Sequence, residues 1–282
     1  MQKERLTEIA GKAFDLSNTL EYTMSIRFIP NGFCFIVHAR KSDELLYFME
    51  VAEPGKSSAE VLEGYRQKHP VLQAQYLNVQ FLDEDSVYEL VPMGIFQESD
   101  ALSVWKLTHG ELDASLSLHV DSLKILDVNN VYALSSDFVQ TVRSVFPSAR
   151  FVNRQSVFIQ TSVMENRRHS ESNLFLNLHN GFVDVVVAVN SKLQMANTFS
   201  YRNVDEFLYF VLGIYDLFGL DQYKSVASVS GWVDEELMVA MKRYLKNVRI
   251  AMKPLSIVGD AFEKVEAPER YQNLLNIPLC VL

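Results

Sequence analysis

The stretch Leu174-Phe175-Leu176-Asn177-Leu178-His179-Asn180-Gly181-Phe182-Val183-Asp184-Val185-Val186-Val187-Ala188-Val189-Asn190-Ser191-Lys192 decides the fold. Two β-rich runs flank Asn180-Gly181, a pair that suits a two-residue hairpin because a type I′ turn needs positive φ at both central positions. A second turn at Asn190-Ser191 brings the chain back again. The stretch therefore predicts a three-stranded antiparallel meander.

The same pattern stands earlier in the chain. Ser25 to Pro30, Asn31-Gly32, Phe33 to Ala39, a polar turn and Leu45 to Val51 repeat it. Aligned on their Asn-Gly pairs, the two copies share the following Phe and match Val37 with Val186, Ala39 with Ala188 and Ser42 with Ser191. Each copy is followed by a helix start with a side-chain cap and a Glu three residues on, Ser57 with Glu60 and Asn203 with Glu206. Element order and spacing repeat together, which predicts a duplicated domain rather than a short-period solenoid.

Between these landmarks the pattern is mixed α/β. The lead-in over 3–16 reads as a short helix or irregular chain. Extended runs are expected over 76–82 and 86–91, joined by a solvated acidic turn, Asp83-Glu84-Asp85. Strands follow over 114–119, 123–128 and 131–134, the last running directly into a helix over 137–146. A short strand over 150–153 and a helix over 156–165 close the first half. The polar stretch Asn166 to Ser172 reads as a solvated linker and places the boundary between domains 1–166 and 167–282. In the second half, the helix over 204–218 is apolar almost all round, which predicts burial on more than one side. A strand over 225–230, a helix over 234–245 and a strand over 248–252 follow, and then helical pieces over 260–265 and 268–276.

Composition bounds the functional classes. The 282 residues carry 48% hydrophobic and 22% charged side chains, ordinary for a globular chain with about two domains. A net charge of −9 opposes binding to phosphate backbones, so no nucleic-acid partner is expected. No apolar run reaches a membrane-spanning length and the amino terminus lacks a secretory pattern, so the expectation is a soluble cytoplasmic protein without membrane insertion. Cys34 and Cys280 have no metal-ligand spacing, and Cys34 reads as a buried strand residue. The histidines are scattered, and His38 and His119 read as hydrogen-bonded sheet residues. No Walker loop, nucleophile elbow or zinc-binding His pair is present.

Meander, helix, strand, helix, strand, given twice, resembles the duplicated ribonuclease-H-like domain of the actin, sugar-kinase and heat-shock-protein-70 superfamily. With its Asn-Gly-Phe turns and the strand-to-helix junction Val131-Tyr132-Ala133-Leu134-Ser135, the chain resembles a bacterial domain-of-unknown-function family with an actin-like ATPase fold, and more distantly the actin-like assembly proteins of type IV pili and type II secretion. The resemblance implies an α/β fold of two such domains, each a mixed sheet with a meander flanked by helices. It also implies a nucleotide cleft. In that superfamily the second phosphate loop reads Asp-x-Gly-Gly-Gly-Thr-Thr-Asp; the same eight places here hold Asn177, Leu178, His179, Asn180, Gly181, Phe182, Val183 and Asp184. One glycine and the last Asp remain. A neutral Asn cannot supply the charge that holds a hard cation. Pro30-Asn31-Gly32-Phe33 lacks the Asp and hydroxyls of the first phosphate loop, and Ser230-Gly231-Trp232 stands where the adenosine turn has Gly-Gly.

The resulting expectation is a non-catalytic binding or assembly module with a protein partner, no catalytic residues, no metal and no cofactor. The candidate cleft residues are Asn31, Asn177, His179, Gly181, Asp184, Gly231 and Trp232. Trp232 is either a base-stacking group or a packing residue against Leu237. The alternative is a divergent ATPase that still takes ATP and magnesium in the interdomain cleft. A metal-dependent hydrolase built on Asp83, Glu84 and Asp85 is a third possibility.

Overall fold

The structure is a computed structural model that describes residues 5–84 and 87–280. Two compact units divide the chain: residues 1–156, 256–266 and 277–282 form one, and 157–255 with 267–276 the other.

In the first unit the strands are β1 (Arg5–Ala10), β2 (Tyr22–Ile29), β3 (Gly32–Ala39) and β4 (Leu45–Ala52), followed by helices α1 (Ser58–Arg66) and α2 (Pro70–Gln73). Then come β5 (Asn78–Asp83), β6 (Tyr88–Pro92), α3 (Ala101–His109), β7 (Leu116–Leu123), β8 (Val128–Ser135), α4 (Ser136–Val145) and β9 (Arg150–Asn153); α5 (Arg154–Arg168) follows, its first three residues in this unit and the rest in the second. The main sheet has the order β1-β4-β3-β2-β5-β9, and β6-β8-β7 form a separate three-stranded sheet. β2, β3 and β4 are the expected meander; β5 and β9 add to it in parallel. Met24, Ile26, Phe33, Phe35, Met49 and Val51 point to one face of that sheet and form its core with α1 and α4.

The second unit repeats the arrangement with β10 (Ser172–Leu178), β11 (Phe182–Val189), β12 (Lys192–Ser200), α6 (Val204–Leu217), β13 (Val226–Gly231), α7 (Glu235–Tyr244), β14 (Asn247–Ile250) and α8 (Gln272–Asn276). Its sheet order is β12-β11-β10-β13-β14, the same meander followed by two parallel strands. Leu174, Leu176 and Leu178 alternate with residues on the opposite face and pack with Val183, Val185 and Val187 against α6 and α7. The central strand β10 is buried on both faces, as expected where a sheet is covered on both sides.

The turns carry the same hairpins with different chemistry. Type I′ geometry falls at Asn190-Ser191, where φ is 52° and 64°. At Asn180-Gly181 only the glycine takes a positive φ, 82°. In the first unit Ile29 pairs with Gly32, so the loop is Pro30-Asn31, not Asn31-Gly32. The proline ring holds φ negative and Asn31 has φ 61°, the sign pattern of a type II turn. Gly32 is needed for another reason: a Cβ there would lie 1.8 Å from the Val51 carbonyl oxygen.

Several expectations are corrected. The lead-in forms β1, paired antiparallel to β4 through Leu6–Val51 and Ile9–Phe48, rather than a helix. Strand β8 includes Asn129 and Asn130, because the strand's polar side chains are buried with partners. Asp83 is a buried end of β5, bonded to Asn153, and not part of a solvated turn; Asp85 lies outside the described residues. Asn166 is buried within α5, donating to the Ser172 carbonyl at 2.7 Å and accepting from Ser191 N–H at 2.9 Å, so the solvated linker is corrected at its first residue. His38 is buried with its Nδ1 unpartnered among the described residues, whereas His119 reaches Ser117 Oγ at 3.2 Å. Helix α6 buries one face only: Phe207, Val211, Ile214 and Tyr215 point inward, while Tyr209 is 76% and Leu217 72% exposed. The cap residues hold as read. Ser57 and Glu60 form a reciprocal box and Asn203 Oδ1 accepts from Glu206 N–H, whereas Asp234, expected as the first helical residue, stands outside α7 as its cap.

Candidate functional site

The candidate site is assembled by register. Across the second sheet, Thr198 of β12 stands opposite Asp184 of β11, Asp184 opposite Asn177 of β10, and Asn177 opposite Ser230 of β13. Side chains alternate faces along a strand, so all four share the face away from the leucine core. Thr198 Oγ1 donates to Asp184 Oδ1 at 2.8 Å, and Ser230 Oγ to Asn177 Oδ1 at 3.2 Å. The Asn177 amide lies 3.5 Å from Asp184 Oδ2.

His179 closes this row at the end of β10. Its Nε2 is 2.9 Å from Asp184 Oδ2 and 2.9 Å from Asn177 Nδ2. The same ring nitrogen thus faces both the fully buried Asp184 carboxyl and the Asn177 amide, and its role toward each follows the ring's tautomer. Phe182 stacks on the imidazole with ring centroids 4.3 Å apart. Tyr201 caps the turn: its hydroxyl donates to the His179 carbonyl at 3.1 Å and its N–H to the Gly181 carbonyl at 2.9 Å. The Thr198 hydroxyl and the His179 imidazole thus both reach the buried Asp184 side chain, an arrangement that can orient and hold the turn.

Gly231 sits where only glycine fits. Its φ is 84°, and a Cβ would fall 2.2 Å from the Leu178 carbonyl and 2.7 Å from Asn177 Oδ1. The following Trp232 donates its N–H to the same Leu178 carbonyl at 2.8 Å. Trp232 is 52% exposed, under the Arg270 guanidinium at 4.7 Å from the ring centroid, so it is not a core residue. Of the seven residues singled out by sequence, Asn177, His179, Asp184 and Gly231 come together, and Gly181 belongs to the same turn. Trp232 adjoins them through the Leu178 carbonyl. Asn31 is in the first unit, where its carbonyl accepts from Glu53 N–H at 2.8 Å.

A second buried polar group escaped the sequence reading. In the first unit Asp121 accepts from Ser156 Oγ at 2.7 Å, Asn153 N–H at 2.9 Å and the Tyr132 hydroxyl at 3.1 Å. Burial pushes its carboxyl up to about 6, with those three bonds pulling the other way. Asn153 also donates to Asp83 at 3.0 Å, and Asn130 to Ser156 at 2.8 Å. These residues are spread from 83 to 156, with no local spacing to betray them. Cys34 is buried as expected, its thiol pushed up by burial. Among the described residues, no group of three His, Cys, Asp or Glu could hold a metal, and no helix is long and apolar enough to cross a membrane.

The family model described as "Protein of unknown function (DUF3822)" matches residues 11–248. No curated protein matches the chain. Among solved structures, a Bacteroides thetaiotaomicron VPI-5482 protein with an actin-like ATPase fold and unknown function is similar at TM-score 0.74 and 18% identity, covering 93% of this chain and 98% of that one. A chain of the PilM-PilN type IV pilus biogenesis complex is similar at TM-score 0.57 and 11% identity, covering 93% of this chain and 98% of its own. At these identities the likeness establishes the fold, which is the actin-like one, mixed α/β with a meander and two parallel strands in each unit.

Proposed function

The chain belongs to the DUF3822 family, and from that premise we propose that it is a non-catalytic actin-like protein, a cytoplasmic binding or assembly module whose partner is another protein. On this reading the two units arose by duplication, and the turn between β10 and β11 no longer serves a triphosphate. The observation that carries the reading is the contact of His179 with the buried Asp184. The last Asp of the superfamily loop is spent on a neighbouring imidazole and on Thr198, and Phe182 lies flat on that imidazole.

Phosphoryl transfer depends on positioning and on charge stabilisation by metal, so a loop with no acidic first residue and no hydroxyl lacks the means for it. The partner class is supported by the likeness to a chain of a PilM-PilN complex, where an actin-like protein is seen with a protein partner. A net charge of −9 argues against nucleic acid in that role.

The deciding measurement is thermal or chemical stability of the full chain with and without Mg-ATP. A ligand at a hundred times its Kd adds about 2.7 kcal/mol. An unchanged midpoint is expected. A shift of that size would favour the divergent ATPase reading, in which Trp232, half-exposed beside the turn, exchanges Arg270 for a nucleotide base.

A further inference from the structure

β14 is the outer strand of the second unit's sheet. β13 pairs along one side, and among the described residues no strand pairs along the other. A bare edge is a template for a further strand, and proteins guard such edges with charge, proline or brevity. Here Arg249 sits within the strand and Pro254 stands just beyond it.

Over β14 and Ser228 of β13 lies a cavity of about 410 Å³, lined wholly from the second unit by the end of α5 with His169, by β14 and by the chain just after it. Arg168, Arg249 and Lys253 line it against a single carboxylate, Glu165. Two of the cations are held in place: the Arg249 guanidinium bonds Glu165 and, at 2.7 Å, Ser172 Oγ, while Arg168 donates to the Leu255 carbonyl at 2.8 Å. Lys253 is exposed and makes no ion pair among the described residues. The cavity also has an apolar lip, where Ile250 and Met252 are 37% and 50% exposed.

We propose that this edge and cavity receive an extended acidic peptide segment of a partner protein, which adds a strand to β14. The segment's carboxylates meet Lys253 and Arg168, and its alternate apolar side chains cover Ile250 and Met252. An extended chain presents successive side chains to opposite faces, so one peptide reaches the cationic wall and the apolar lip together while its backbone pairs with the strand. Charge sets the sign. The chain as a whole repels acidic partners, and this pocket has an excess of two positive charges, so association is local and salt-sensitive. The proposal rests on the protein-binding reading and names the chemistry of the partner.

The test is fluorescence anisotropy of the full chain with a labelled peptide of about eight residues alternating Glu and Val, set against the same peptide with Lys for Glu and against one N-methylated on alternate backbone amides. Saturable binding of the acidic peptide alone is expected. It should weaken at least tenfold in Lys253→Glu, weaken comparably in about 0.5 M salt, where the Debye length falls below about 5 Å, and disappear on N-methylation. Lys253 is exposed, so that variant keeps the fold; if Arg168→Glu also folds, it should weaken binding similarly. No saturable binding, equal binding by Lys253→Glu, or equal binding of the N-methylated peptide overturns the proposal. Sedimentation showing self-association abolished by Lys253→Glu overturns it too, by assigning the edge to a second copy. A positive Mg-ATP shift would count against the non-catalytic reading alone, whereas absent peptide binding with a flat Mg-ATP response would count against this proposal alone.

Discussion

His179 Nε2 lies 2.9 Å from Asp184 Oδ2, and Asp184 is fully buried between β10 and β12. Burying a carboxyl there is costly, and the imidazole and hydroxyl that point at it offset part of that cost. Removing the acid takes that partner from both groups, and a buried polar group that loses its partner costs about 1–3 kcal/mol. Asp184→Ala is expected to lower the unfolding free energy by about 3 kcal/mol, with Thr198→Val losing less. Urea titration followed by circular dichroism measures both, and an Asp184→Ala loss below about 1 kcal/mol would show the contact to be incidental.

Asp121 and His38 should give opposite pH slopes. Burial raises Asp121 to about 6 from 3.8, so its folded form holds a proton that the unfolded form releases; the stability this gives is complete below about pH 4 and lost as pH rises through about 6. Burial lowers His38 from 6.5 to about 4, so the stability from its neutral form is complete above about pH 6.5 and lost as pH falls through about 4. Each shift is worth roughly 3 kcal/mol, and within this window the two largely offset. Asp121→Asn should therefore make stability rise more steeply between about pH 4 and 6.5 than in the parent chain. His38→Gln should tilt the difference the other way. Denaturant midpoints at half-unit pH steps, read as differences from the parent, decide the matter.

Glycines separate by what surrounds them. Gly231→Ala places a Cβ 2.2 Å from the Leu178 carbonyl at φ 84°, a clash and a strain together, and is expected to cost about 3 kcal/mol. Gly213, inside α6, has open space around its Cβ position. Gly213→Ala should stabilise by about 1 kcal/mol through helix propensity. Melting temperatures of the two variants should move in opposite directions.

Leu176, wholly buried in β10 against α6 and α7, tests the core. Leu176→Ala is expected to cost about 2–5 kcal/mol by lost burial and a residual cavity. Leu217→Ala, at the exposed end of α6, should move the urea midpoint little, since the side chain is 72% exposed.

Much of this fold could be read before any coordinates. The meanders followed from alternating Val, Ile and Phe bounded by Asn-Gly and Asn-Ser, and the helix starts from Ser57 and Asn203, whose short polar side chains reach early N–H groups. What escaped has identifiable causes. β1 is an edge strand whose partner among the described residues, β4, lies far along the chain, so Arg5 to Ala10 carries no local hairpin signal. Asn129 and Asn130 read as a break, yet within β8 Asn129 Oδ1 accepts from Ser122 and the Asn130 amide nitrogen donates to Ser156, contacts set by tertiary structure. The apolar outer residues of α6 predicted a cover, but Tyr209 and Leu217 are open. At the candidate site Asn177, His179 and Asp184 fall within one hairpin and were visible together; Thr198 and the Asp121 group were not, because register across strands brings them in.

The chain's path through its units bears on how it is made. Residues 256–266 return to the first unit, where the Val258 carbonyl accepts from Leu45 N–H, and 267–276 complete the second, where Asn276 accepts from Leu255 N–H. A ribosome that has just delivered β14 has therefore finished neither core, and both halves wait on residues 256–276, synthesised at about 5–20 residues per second. Translation thus holds two partly built bodies open for seconds, and their completion is nearly simultaneous.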